Sequence, residues 1–149
     1  MVSRMDHVGI VVKNIEEALS LYGDMLGLVP WNRGILENKK TGQRMVITRP
    51  RGGTFVEFIQ PPTRVESRHS RFLKEHGEGL FHLCFFSDDF DAEVSALKEK
   101  GFPVEEEVVT IFPGVQFRIV WLPPQSTLGV WIEIADKAAI PDFLVNHEF

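Results

Sequence analysis

Two short apolar runs, each with one glutamate at its centre, constrain this chain more than any other feature. Thr54-Phe55-Val56-Glu57-Phe58-Ile59-Gln60 and, near the other end, Gly129-Val130-Trp131-Ile132-Glu133-Ile134-Ala135 both read as strands entered through Gly-containing turns. A carboxylate in the middle of so apolar a strand is costly unless something there requires it. Each glutamate also follows a histidine that opens an earlier apolar run. His7 lies 50 residues before Glu57, and His82 lies 51 before Glu133. Two equally spaced His and Glu pairs suggest one metal site built by an internal duplication.

The order of elements supports a repeat. Met5–Val12 reads as a strand with His7 on one face. Asn14, with Glu17 three residues on, opens a helix on which Ile15, Ala18, Leu19, Tyr22 and Leu26 recur at helical spacing, and Gly27 stops it. Leu28–Leu36 and Gln43–Thr48 are expected strands, and Pro50-Arg51-Gly52-Gly53 turns the chain into the Glu57 strand. Pro61-Pro62 ends that strand, because proline donates no ladder hydrogen bond. The second half runs in the same order. Leu80–Phe86 carries His82, and Asp88–Lys100 is a helix with Phe90, Val94 and Leu97 inward, stopped by Gly101. Pro103–Val109 and Val115–Leu122 are strands about a Pro113-Gly114 turn, and the Glu133 strand follows. Expected boundaries are a first βαβββ module over 1–62 and a linker over 63–79 with a short helix from Ser67 to His76. A second module follows over 80–136, then a peripheral tail over 137–149 that packs Phe143 and Leu144. The fold class is α+β.

Composition excludes several classes. With 149 residues, 44% of them hydrophobic, and twelve Phe, the chain has ample core material for one compact unit or two small modules. A net charge of −5 with no basic run weighs against nucleic acid or an anionic membrane surface. No apolar stretch approaches the roughly 20 residues of a membrane span. Without a signal-peptide core, and with Cys84 as the single cysteine, the expectation is a soluble cytoplasmic protein.

Zinc, manganese, cobalt and nickel accept imidazole nitrogen and carboxylate oxygen at about 2.0–2.2 Å. Such an ion polarises a carbonyl and stabilises the enediolate formed when the α-proton leaves, while a nearby carboxylate takes that proton. Taken singly, His7 and His82 read more often as structural histidines, and a mid-strand Glu reads as solvent-facing as readily as it reads as functional. The joint spacing is what favours ligands. His69, His76 and His147 read as solvated surface, Cys84 as inert core, and Glu105-Glu106-Glu107 as a solvated strand end. Arg118, mid-strand, is a candidate anchor for a substrate carboxylate, with a salt bridge inside the fold as the alternative.

At these residues the sequence resembles the vicinal oxygen chelate superfamily, the glyoxalase and epimerase fold. Met5-Asp6-His7-Val8-Gly9-Ile10-Val11-Val12, the Leu26-Gly27-Leu28 helix end and the two glutamate strands carry the resemblance. Phe72-Leu73-Lys74-Glu75-His76-Gly77-Glu78-Gly79-Leu80-Phe81-His82-Leu83 is similar to the linker and histidine strand of methylmalonyl-CoA epimerases. The resemblance covers about residues 4 to 136. It implies paired βαβββ modules in a curled mixed sheet, with His7, Glu57, His82 and Glu133 around one divalent ion (Co, Mn, Ni, Zn or Mg). It further implies a homodimer and an epimerase or isomerase acting on a small molecule such as an acyl-CoA thioester, with Glu133 and Glu57 as catalytic carboxylates. Alternatives on the same fold are a glyoxalase I-like lactoylglutathione lyase and a metal-free binding protein of the resistance type. One departure stands out: some epimerases place a further glutamate on the strand after the Gly-Gln turn, where this chain reads Arg44-Met45-Val46-Ile47-Thr48.

Overall fold

The computed structural model describes residues 1–31, 34–50, 53–112 and 115–140. Within them lie nine strands and three α-helices. The order is β1 (Val2–Val11), α1 (Ile15–Leu26), β2 (Val29–Pro30), β3 (Leu36–Glu37), β4 (Arg44–Arg49), β5 (Phe55–Gln60), α2 (Arg68–His76), β6 (Gly79–Ser87), α3 (Phe90–Glu99), β7 (Glu105–Phe112), β8 (Val115–Leu122) and β9 (Trp131–Asp136). All nine strands belong to one mixed sheet, ordered β2-β4-β5-β1-β6-β9-β8-β7 with β3 paired to β4. This is the mixed-sheet arrangement that the resemblance implies.

The chain divides into two compact units, His7–Phe81 and a second made of Met1–Asp6 with the chain from His82 onward. Strand β1 is therefore shared, its first half belonging to one unit and its second half to the other. In the His7–Phe81 unit, β1 and β5 run parallel, and β4 and β5 antiparallel. Parallel neighbours need a crossover, and α1 lies within it. Asn14 caps α1 by accepting from the backbone N–H of Glu16 and Glu17, and Gly27 ends it at φ 67°, a left-handed conformation that glycine adopts at little cost. The core under α1 joins Val12, Ile15, Ala18, Leu28, Val46 and Phe58, with Tyr22 against the Phe58 ring.

The other unit repeats the plan, with β6 and β9 parallel, α3 between them in sequence, and β8 antiparallel to both β9 and β7. Asp89 caps α3 through the Ala92 N–H. Phe90, Val94, Val120 and Ile134 form the core beneath it.

Two expectations change. The strand foreseen over Leu28–Leu36 is two short strands. Pro30 removes a ladder donor, and Gly34 turns at φ 61° with its N–H bonded to the Trp31 carbonyl. His69 is buried, with its ring against Phe81 at 4.6 Å, because α2 lays that position on the start of β6. The centres of the Pro50–Gly53 and Pro113-Gly114 turns, the packing of Phe143 and Leu144, and His147 lie outside the described residues.

Candidate metal centre

In the His7–Phe81 unit, the β1–β5 register sets His7 beside Phe55 and Gly9 beside Glu57. Side chains alternate across a strand. Val56 and Phe58 therefore face α1, and Glu57 takes the other face with Phe55 and Ile59. Gly9 has no side chain to stand between, so His7 reaches Glu57 along the diagonal, with Nε2 3.5 Å from Oε2. Glu57 is only 5% exposed. Across the other edge its partner on β4 is Ile47, so no second carboxylate faces it there.

The unit that begins at His82 has the same construction. His82 pairs with Trp131, and Cys84 with Glu133. In both units the glutamate lies two residues beyond the register partner of the histidine. The one-residue difference between the 50 and 51 spacings is absorbed outside the paired strands. His82 Nε2 lies 3.2 Å from Glu133 Oε2, and the imidazole is 1% exposed.

Both separations are close to those of ligands on one ion. Two ligands at about 2.1 Å, subtending between 90° and the tetrahedral angle, stand about 3.0–3.4 Å apart. The His82–Glu133 pair, at 3.2 Å, falls inside that window, and the His7–Glu57 pair, at 3.5 Å, lies just beyond it. The chemistry of the donors, imidazole nitrogen and carboxylate oxygen, suits zinc or another late divalent ion.

Around His82 stands a wall that the sequence reading passed over. The Trp121 ring meets the imidazole edge to face at 5.2 Å and 86°, and its indole N–H donates to Glu107 Oε2 at 3.0 Å. Trp131 packs on Trp121 at 6.1 Å. Strand register places both, and no sequence signal marks them: Trp121 is the β8 partner of Glu133, and Glu107 shares its face on β7. Cys84 is buried on the same face of β6 as His82 and is a free thiol.

Arg118 stands elsewhere. It alternates with Trp121 and so lies on the face that α3 covers, opposite the one bearing Glu133. Its guanidinium pairs with Asp91 Oδ1 at 2.5 Å and Asp136 Oδ2 at 3.9 Å and lies over the Phe90 ring at 4.7 Å. The hydrogen bond from Arg118 holds the Asp91 carboxyl below the usual carboxylate range and raises the guanidinium in turn. The structure thus gives Arg118 the salt bridge within the fold and does not bring it to Glu133.

Known proteins are similar to this chain in sequence and in fold. The family model described as glyoxalase/bleomycin resistance protein/dioxygenase superfamily matches residues 6–117. The human mitochondrial methylmalonyl-CoA epimerase is 29% identical over 88% of this chain and 72% of its own length. The crystal structure of methylmalonyl-CoA epimerase from Mycobacterium tuberculosis superposes with a TM-score of 0.78 at 25% identity, covering 97% of this chain and 93% of that one. A methylmalonyl-CoA epimerase in complex with methylmalonyl-CoA and NH4+ gives 0.77 at 25% identity, covering 94% and 98%. With its twin His–Glu strands and βαβββ order, the chain belongs to the glyoxalase/bleomycin resistance protein/dioxygenase superfamily.

Proposed function

We propose that this protein is a divalent-metal-dependent epimerase that exchanges the proton α to the carbonyl of a small acyl-CoA thioester. The observation that carries the reading is the His–Glu pair, repeated at one register in both units with donor separations at or near those of ligands on one ion. Epimerase relatives, one of them crystallised with methylmalonyl-CoA, supply the substrate class.

In this reading His7, Glu57, His82 and Glu133 hold one ion, the ligand set that the family resemblance implies. A bound ion supplies positive charge beside the substrate carbonyl oxygen, which lowers the cost of enolate character there. The work of the chain itself is proton transfer. A Glu133 carboxylate oxygen takes the α-proton, leaving a planar enolate, and a proton returned to the opposite face inverts the centre. With Ile47 opposite Glu57 on β4, the proton for that second face would come from a water, or from Glu57 when it is protonated and not holding the ion. We extend the proposal to a cytoplasmic homodimer. The free, buried Cys84 is compatible with a reducing compartment, and the dimer follows from the resemblance.

The test is ¹H NMR of methylmalonyl-CoA in D₂O with the metal-loaded protein. Solvent deuterium should enter the α-carbon, and Glu133→Gln should slow entry by roughly 10²–10⁴-fold. No exchange by the loaded wild type, or undiminished exchange by Glu133→Gln, would overturn the proposal.

A further inference from the structure

We propose that Trp121 is a positioning residue that fixes the ring plane of His82, and that Glu107 anchors Trp121 in that role. As a statement about a metal ligand it rests on the proposed metal centre. As a statement about the imidazole it stands on the contacts alone.

Rotation about the final side-chain bond of histidine is broad and roughly two-fold, so the rotamer does not set the ring plane. Something packed against the ring must. His82 is held on one side by Glu133 at 3.2 Å, and Trp121 meets it at 86°, the edge-to-face geometry that aromatic rings favour. Trp121 is 4% exposed and could rotate only by displacing Trp131, packed on it at 6.1 Å. The indole N–H needs an acceptor when buried, and Glu107 Oε2 supplies it at 3.0 Å. Glu107 thus reaches from β7 to the indole on neighbouring β8, and the indole sets the imidazole. A ligand whose ring can tilt must be ordered when an ion binds, and partners that pre-order a ligand typically change affinity by about 10–100-fold.

The experiment compares wild type with Glu107→Gln, Glu107→Ala and Trp121→Leu. The ¹³C–¹H resonance of the His82 ring is followed in metal-free protein, and affinity for Co(II) by its visible absorption. Glu107→Ala should shift and broaden the His82 signal and weaken Co(II) binding by roughly tenfold or more. Glu107→Gln removes the same charge but keeps an acceptor, and should restore both readouts to near wild type. Equal losses in Gln and Ala would mean that charge alone acts, and would overturn the proposal. An unmoved His82 signal in folded Glu107→Ala would overturn it too, and decides the matter even where Trp121→Leu fails to fold. Failure of the wild type to bind Co(II), with the His82 signal still displaced in Glu107→Ala, would sink the metal centre and leave the positioning role standing.

Discussion

Melting the protein with and without a divalent ion measures what the paired donors contribute to the folded state. An ion bound by the folded pairs and not by the unfolded chain stabilises by mass action, by about 2.7 kcal/mol at a free concentration 100 times the dissociation constant. An unfolding entropy of about 2.1 cal/mol/K per residue over 149 residues comes to about 310 cal/mol/K. The expected rise in Tm is therefore about 9 °C. His82→Ala deletes a ligand that is 1% exposed and leaves Glu133 without its partner at 3.2 Å. A site weakened 100-fold retains only RT ln 2 at the same ion concentration, about 0.4 kcal/mol or about 1 °C. The assay is circular dichroism melting of chelator-stripped protein, with and without Co(II) or Zn(II). The reasoning fails if His82→Ala gains as much from the ion as the wild type does, since the stabilisation would then come from another site.

Two further predictions concern the frame that carries the site. Phe58 is fully buried on the α1 face of β5, with the Tyr22 ring 4.9 Å away. Phe58→Ala should cost about 3–5 kcal/mol in urea denaturation, and a loss below about 1 kcal/mol would contradict the packing described. The carboxyl of Asp91 is held below its ordinary value by Arg118. The stability its pair contributes is thus present above the unfolded carboxyl value and is lost as pH falls through the lower folded value. Arg118→Ala should move the Asp91 midpoint back up in a ¹³C NMR titration, and an unmoved midpoint would show that the pair is absent in solution.

The pairing of each histidine with its glutamate was legible in the sequence because its geometry is local. Once His7 and His82 open strands parallel to those of Glu57 and Glu133, one register offset fixes both pairs, and that offset shows as the near-equal spacing. Helix ends at Asn14, Gly27 and Asp89 were legible for the same reason, since capping is settled within four residues. What was not legible depends on partners far along the chain. The pairing of Arg118 with Asp91 required knowing which face of β8 lies under α3. The burial of His69 depended on the docking of α2 onto Phe81. Trp121 carries no signal of its own in the sequence, since only its strand pairing brings it to His82. Nothing in a run of three glutamates singles out Glu107, whose role comes from the β7–β8 register.

The central claim is that two His–Glu pairs serve one ion. Its most direct test is metal stoichiometry, by elemental analysis of protein loaded with Co(II) and freed of excess, beside His7→Ala and His82→Ala. The account predicts one ion per chain in the wild type and loss of that ion in both variants. Two ions per chain, or one retained when His7 is removed, would mean that the pairs act separately and that no shared centre exists.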